Sequence, residues 1–257
     1  MTNGTVDFHP RDMVGGLEKG LAIIEAFDEA RPRLSLSEAA EITGLTRAAA
    51  RRYLLTLTKL GYAEFDGKFF SLSPRILRLG YAYVSSSPLP ARLQPSLEQI
   101  SAITGESSSA AILDGTEIVY IARSATKRIM SIGLGVGTRL PAYCTSLGRV
   151  LLGQYDELGL SRYFATAKLE RRTPKTQATE SLLRAAIAAV RESGYAVNDE
   201  ELELGLRSLA VPVFDSQGRI VCAINVGVQA ARMSLADMPE KLLPPLLKAQ
   251  DDLRRIV

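Results

Sequence analysis

Between Ser35 and Leu72 the apolar positions recur three and four residues apart and then switch to alternation, the periods of an amphipathic helix and of a half-buried strand. Ser35 and Glu38 have the spacing of a capping box, which satisfies free backbone N–H groups at a helix start. Gly44 stands where the following turn wants a residue tolerant of positive φ, and Ala40 and Ala50 are small enough for two helices to cross closely. Thr46 then caps a second helix whose apolar face is Ala50, Tyr53, Leu54 and Leu57, while Arg47, Ala48, Arg51 and Arg52 share its other face. Residues 62–65 and 68–72 flank Asp66-Gly67, a strong signal for a two-residue hairpin. Upstream, Leu17, Leu21, Ile24 and Phe27 predict a first helix that covers the other two, and Pro32 ends the segment between them. Three helices and a hairpin in this order predict a winged helix-turn-helix.

The pattern after residue 73 predicts a linker helix over 74–90, opened by Ser73-Pro74 and closed by the Ser/Pro-rich stretch 85–90. Ile76, Leu79 and Tyr83 form a narrow apolar stripe on it, suited to pairing with another subunit. Beyond it, a helix through Leu93, Leu97 and Ile100 ends at Gly105. Strands at 108–113 and 118–122 are joined by Asp114-Gly115, and strands at 209–214 and 220–226 by a turn containing Gln217-Gly218. Further helices fall at 146–153, 158–165, 182–192 before Gly194, and 235–253. Hairpins flanked by helices indicate an α+β fold with a mainly antiparallel sheet. The predicted organisation is a disordered tail at 1–13, a winged helix-turn-helix domain at 14–73, the linker helix at 74–90 and a second domain at 91–257.

Charge sharpens the first of these assignments. Residues 45–78 hold seven Lys or Arg (47, 51, 52, 59, 68, 75, 78) against Glu64 and Asp66, a net +5 in a chain of net +3, which leaves about −2 for the remainder. Positive charge is therefore focused where the second helix and the hairpin would meet phosphates. Arg47, Arg51 and Arg52, with Thr46 and Ala48 beside them, are the candidate base readers or phosphate clamps, and Lys68 is the candidate contact at the wing tip. The competing reading is an ordinary solvated helix face.

Composition excludes more than it assigns. The 257 residues, 46% of them apolar, suffice for two packed domains or one large one. No apolar run reaches the roughly 18 residues of a membrane span and the N-terminus does not read as a signal peptide, so a soluble, cytoplasmic protein is expected. Cys144 and Cys222 are isolated, which suggests neither a disulfide framework nor a zinc site, and both read as buried or pocket-lining thiols. His9 is the one histidine, so no histidine-based triad or HExxH zinc site is available. No P-loop is present, and Gly133, Gly135 and Gly137 alternate as GxGxG, which is not the dinucleotide fingerprint; neither a cofactor nor a metal is expected. The run Asp199-Glu200-Glu201 with Glu203 admits a metal or paired-carboxylate reading, but a solvated loop face is favoured. At Thr145 and Ser146 a helix begins, and the N–H groups of Ser146, Leu147 and Gly148 suit either a ligand carboxylate or simple capping.

Several longer stretches carry a resemblance: Leu17-Glu-Lys-Gly-Leu with the helix-turn-helix, Ser124-Ala-Thr-Lys-Arg-Ile-Met-Ser, Gly135-Val-Gly-Thr-Arg-Leu-Pro-Ala-Tyr-Cys-Thr-Ser-Leu-Gly-Arg, and Asn198-Asp-Glu-Glu-Leu-Glu-Leu-Gly-Leu-Arg-Ser-Leu-Ala-Val-Pro-Val. From Val14 to the C-terminal helix the chain resembles the IclR family of transcriptional regulators, and within it the subgroup of PcaR, PcaU and PobR. The resemblance implies an N-terminal winged domain, a linker helix used in homodimerisation, and a GAF-like domain that binds a small organic acid. Members of the subgroup control β-ketoadipate-pathway genes in response to compounds such as protocatechuate, 4-hydroxybenzoate or β-ketoadipate, commonly as activators. Family ligand positions fall here on Ser146 and Leu147, Asn198 and Ser208, and Asn225 with Gly227; the family often has an acidic residue where Asn198 stands and Cys where Ser208 stands. Arg123, Arg139 and Tyr143 are further candidates, an Arg to pair with the carboxylate, although Arg139 before Pro141 reads equally well as a structural clamp. The expected partners are double-stranded promoter DNA, a small organic acid and a second copy of the chain, with dimer versus tetramer open and no membrane. An enzyme acting on an aromatic acid and carrying a DNA-binding arm, or a constitutive architectural protein, are the alternatives.

Overall fold

Side-chain caps from Ser35 and Thr46 decide where two helices of the N-terminal segment begin. The computed structural model describes residues 9–28, 30–126 and 134–257. These divide into two compact units, Thr2–Ser85 and Ser86–Val257. The first eight residues of the expected tail, the stretch 127–131 of one family motif and Gly133 lie outside the described residues, and Pro10–Asp12 form a short 3-10 turn.

The first unit contains α1 (Gly15–Glu25), β1 (Leu34–Ser35), α2 (Leu36–Thr43), α3 (Arg47–Lys59), β2 (Ala63–Phe65) and β3 (Phe69–Leu72). The capping box is present: the Ser35 N–H donates to Glu38 Oε2 at 2.7 Å and the Glu38 N–H to Ser35 Oγ at 3.3 Å. Gly44 takes φ +66° and lets the Leu45 N–H return to the Ala40 carbonyl at 3.1 Å, closing α2. Thr46 Oγ1 accepts the Ala49 N–H at 3.2 Å and opens α3. Ile23, Leu34, Ala39, Ala40, Ala50, Leu54 and Phe70 form the core between them.

Two expectations for this unit need correction, and one strand is new. Leu17 and Leu21 do not cover the other helices; they are 65% and 45% exposed, and α1 turns Ile23 inward instead, with Ala26 buried just beyond its end. The chain offers apolar residues around much of this helix, and the inward stripe is the one carrying Gly16 and Gly20, where a Cβ would stand 3.8 and 3.9 Å from Tyr53. The hairpin turn is shifted by one residue. Phe65 pairs with Phe70, and Asp66 Oδ1 accepts the Lys68 and Phe69 N–H groups at 2.9 and 2.7 Å, so Asp66 takes the first corner while Gly67, at φ +102°, and Lys68 make the bend. β1 was not anticipated: it is two residues long and pairs with β3 to give the order β1-β3-β2.

A 3-10 turn, Pro74–Ile76, leads into α4 (Leu77–Ser86). Pro88 and Pro90 do not close that helix but open the next, α5 (Pro88–Thr104), where a proline costs no hydrogen bond. Ile76 is half-buried in the turn, and Leu77, Leu79, Tyr81 and Tyr83 are exposed large apolar side chains of α4.

The second unit holds β4 (Ser107–Asp114), β5 (Glu117–Ser124), β6 (Arg139–Pro141), α6 (Ser146–Leu152), α7 (Glu157–Thr166), α8 (Glu180–Ser193), β7 (Ala196–Asp199), β8 (Leu206–Phe214), β9 (Ile220–Gln229) and α9 (Asp237–Leu253). The strands make one antiparallel sheet in the order β6-β5-β4-β9-β8-β7, the α+β architecture read from the sequence. Alternation sorts its side chains. Leu209, Val211 and Val213 of β8 and Cys222, Ile224 and Val226 of β9 face α5 and α9, through Leu93, Leu97, Leu242 and Leu246. On the other face Ala111, Ala210 and Ala223 leave room for α6, whose Leu147, Val150 and Leu151 pack there beside Leu160 of α7 and Ile187 of α8. At the β4–β5 hairpin Asp114 pairs with Glu117, so the bend is Gly115-Thr116 and not Asp114-Gly115.

The start of α6 is folded tightly against the turn before it: a Cβ on Gly148 would lie 2.1 Å from the Ala142 carbonyl oxygen and 2.4 Å from its Cα. Those atoms are backbone and cannot swing aside. We expect Gly148→Ala to destabilise the protein by about 1–3 kcal/mol or more in urea unfolding followed by circular dichroism. Gly80→Ala in α4, where nothing lies within 4 Å of the new Cβ, should instead add about 0.5–1 kcal/mol.

Candidate functional site

The face of the sheet that α6 covers changes character where that helix begins. Under α6 the inward positions are alanines; beyond its first turn they become Ser107 and Ser109 on β4, Ser208 on β8, and Asn225 and Gly227 on β9. Register joins several of them into one row, because Gly227 pairs with both Ser107 and Ser208, and Ser208 pairs with Asn198. The row Ser107–Gly227–Ser208–Asn198 is the floor of a cavity of about 170 Å³. That is the size class that accepts a single benzene ring.

The walls come from both sides of the row. Cys144, Thr145, Ser146 and Leu147 bring the start of α6, Leu202 and Glu203 the loop after β7, and Tyr120 and Arg123 the strand β5. Ser146 and Ser208 share a hydrogen bond of 2.7 Å between their hydroxyls. Arg123 donates to Ser109 Oγ at 3.0 Å, and Arg232 pairs with Glu106 at 2.9 Å. The Asn225 Oδ1 is buried with no hydrogen-bond partner, a cost that a bound donor would remove. Gly227 is not demanded by packing, since a Cβ there would meet only Leu206 Cδ1 at 4.0 Å. Burial pushes the Cys144 thiol up to about 11, so it lines the wall as a small neutral group.

Of the nine expected acid-binding residues, the cavity brings together Ser146, Leu147, Asn198, Ser208, Asn225, Gly227 and Arg123. Arg139 and Tyr143 are elsewhere. Arg139 sits on β6 and is held by Asp114 and Glu117, both at 2.8 Å, the structural clamp rather than a ligand contact. The Tyr143 hydroxyl donates to the Glu170 carbonyl at 2.7 Å and accepts the Glu170 N–H at 3.1 Å, which ties the loop before α8 to the turn before α6. Of the three N–H groups considered at the start of α6, that of Gly148 is taken by Thr145 Oγ1 at 3.1 Å. Asn198 is also occupied: its amide donates to the Cys144 carbonyl at 2.7 Å and accepts the Glu201 N–H at 3.3 Å.

The acidic run is not a solvated face. Glu201 is buried against Arg149 with two contacts of 2.6 Å, and Asp199 pairs with Arg207 at 2.6 Å and Lys175 at 2.9 Å. Burial pushes the Asp199 carboxyl up, but Arg207 and Lys175 outweigh it and hold the group below the usual carboxylate range. Glu203 alone of the four lines the cavity. No group of His, Cys, Asp and Glu among the described residues is arranged to hold a metal, and no helix among them is long and apolar enough to cross a membrane.

In the first unit, Thr46, Arg47, Ala48, Arg51 and Arg52 are exposed along the start of α3. Arg47 donates to Ser37 Oγ at 2.6 Å, which steers it along α2, whereas no hydrogen bond or ion pair among the described residues takes up the side chains of Arg51 and Arg52. Lys68 stands at the bend of the hairpin with its ammonium 5.0 Å from the Phe69 ring centroid. Sequence reasoning passed over Arg33, which lies over the same ring at 5.3 Å and pairs with Asp66 at 3.7 Å; only the hairpin's folding brings it there.

Comparison with known proteins agrees with this geometry. Residues 81–255 match the C-terminal domain of the bacterial transcriptional regulator IclR, and residues 16–67 the IclR helix-turn-helix domain. The Pca regulon regulatory protein of Pseudomonas putida is 46% identical over 94% of this chain and 84% of its own length. The p-hydroxybenzoate hydroxylase transcriptional activator of Acinetobacter baylyi is 39% identical over 98% of this chain and 94% of its own. The inducer-binding domain of the PobR transcription factor from Acinetobacter, solved as a double mutant with 3-hydroxybenzoic acid, superposes with a TM-score of 0.62 at 34% identity, covering 65% of this chain and 98% of that one. The chain belongs to the IclR family of transcriptional regulators, in the company of its Pca and p-hydroxybenzoate regulators.

Proposed function

We propose that this regulator controls genes of aromatic-acid catabolism by reading a two-fold operator with α3 and by binding a small aromatic or dicarboxylic acid on the floor row of the second unit. The observation that carries the reading is the row Ser107–Gly227–Ser208 beside the unpartnered Asn225 Oδ1, hydroxyl groups and an amide oxygen around a ring-sized space. The Pca and p-hydroxybenzoate regulators among its relatives point to the same class of pathway. Arg123 is the cation on β5 that an acid's carboxylate meets, and Leu147 is the apolar wall for a ring.

Residues 14–73 serve as the DNA-binding domain, 74–90 as the linker and 91–257 as the effector domain. The exposed Leu77, Leu79 and Tyr81 of α4, with Leu17 and Leu21 of α1, support homodimerisation, as a palindromic operator requires. The acid acts as a switch when it binds one arrangement of the dimer more tightly than the other. It is released unchanged, as a regulator's ligand is, and the protein works on promoter DNA in the cytoplasm.

Thermal unfolding against protocatechuate, 4-hydroxybenzoate, β-ketoadipate and unrelated acids tests the reading: an acid at about 100 times its Kd adds roughly 2.7 kcal/mol of stability. No stabilisation by any of the three, with operator binding intact, would oppose it. Gly227→Val should abolish that stabilisation while leaving unliganded folding and operator binding unchanged, because the new side chain enters open space on a strand. Arg51→Ala or Arg52→Ala should weaken specific operator binding by about 1–3 kcal/mol where the side chain meets a base, whereas Lys68→Ala should mainly reduce the salt slope, by about 1. Equal operator affinity and equal salt slope in all three would remove α3 and the wing from the groove.

A further inference from the structure

One buried charge pair in the second unit has no part in the cavity lining and stands directly behind it. Arg149 and Glu201 have side chains only 4% and 6% exposed and meet through two hydrogen bonds of 2.6 Å, fork to fork. The remaining capacity is spent on backbone: Arg149 Nε donates to the Tyr143 carbonyl at 3.2 Å, and Glu201 Oε2 accepts the Gln177 N–H at 3.0 Å. Stability alone does not account for such a pair, because well-packed apolar residues in its place are often as stable or more so. Its geometry does. Arg149 follows the cavity residue Ser146 by three positions on α6, and Glu201 follows the cavity residue Asn198 by three. The Asn198 amide crosses between the same two segments one level nearer the cavity, from the Cys144 carbonyl to the Glu201 N–H.

We infer that Arg149 and Glu201, acting through Asn198, are positioning residues that hold the start of α6 and the loop after β7 in the one spacing at which the cavity binds its acid. The inference rests on the effector reading of that cavity. A planar bidentate fork fixes distance and orientation together, and a segment locked this way arrives at the ligand already ordered. Asn198 is suited to this place because it both donates and accepts; a carboxylate there would keep the bond from Glu201 but lose the one to Cys144, and would add negative charge beside an acidic ligand. This gives Asn198 a holding role where the family resemblance implied a ligand contact.

The test uses the full-length protein and titrates protocatechuate, 4-hydroxybenzoate and β-ketoadipate by calorimetry, with operator affinity of the unliganded protein measured alongside. Arg149→Lys keeps the charge and loses the fork; Glu201→Gln keeps the shape and loses the charge. Both are expected to fold cooperatively and bind operator within about twofold of the parent, while affinity for the acid that binds falls by about tenfold or more. Acid affinity within twofold of the parent in the folded variants overturns the inference, and so does failure of both to fold, which would make the pair a fold element. Gly227→Val separates the two readings: if it abolishes acid binding while Arg149→Lys does not, the positioning role fails and the cavity stands. If none of the three variants changes acid binding, the cavity assignment fails first.

Discussion

The constraint on which the rest depends is the tight entry into α6. With the Ala142 carbonyl 2.1 Å from where a Cβ on Gly148 would be, the turn before α6 can fold this closely onto the helix only because that residue is glycine. The alanines 111, 210 and 223 below it are what permit the approach, and the end of that cover is what leaves the serine and asparagine row open. Cavity wall and buried charge pair share that one short helix, since Ser146 and Leu147 line the cavity and Arg149 three positions on from Ser146 meets Glu201.

How much of this was legible depends on whether the deciding contact is local in sequence. The winged helix-turn-helix was readable because Ser35, Glu38, Gly44 and Thr46 act within a few residues of themselves, and the structure shows each doing so. The stripe on α1 was misread because Leu17 and Leu21 look apolar enough, and only the distant Tyr53 reveals that Gly16 and Gly20 mark the inward side. Both hairpin bends were displaced by one residue: at the wing Asp66 accepts two backbone N–H groups and so takes the first corner, and at the β4–β5 hairpin Asp114 still pairs with Glu117, so a bare Asp-Gly pattern sets the length of the turn without its phase.

The second unit shows the same division at longer range. Strand pairs and helices announced themselves by period, while β6 and β7, three and four residues long at the sheet edges, gave too few alternations to register. All six positions that the resemblance implied, Ser146, Leu147, Asn198, Ser208, Asn225 and Gly227, line the cavity, whereas Arg139 and Tyr143, added as further candidates, are committed to Asp114, Glu117 and Glu170. The acidic run was the largest surprise. Its partners Arg149, Lys175 and Arg207 are scattered along the chain, so a cluster that reads as solvated is in fact neutralised in space.

The floor row has one further consequence. Ser107, Gly227, Ser208 and Asn198 come from four different strands whose pairing is fixed by backbone bonds alone. Ser107, Gly227 and Ser208 are therefore separate keys on a common keyboard, because an exchange at one leaves the ladder that spaces the others in place, whereas Asn198 is also tied to Cys144 and Glu201. A scaffold of this kind lets single exchanges reshape the cavity while the backbone ladder of the sheet stays in place.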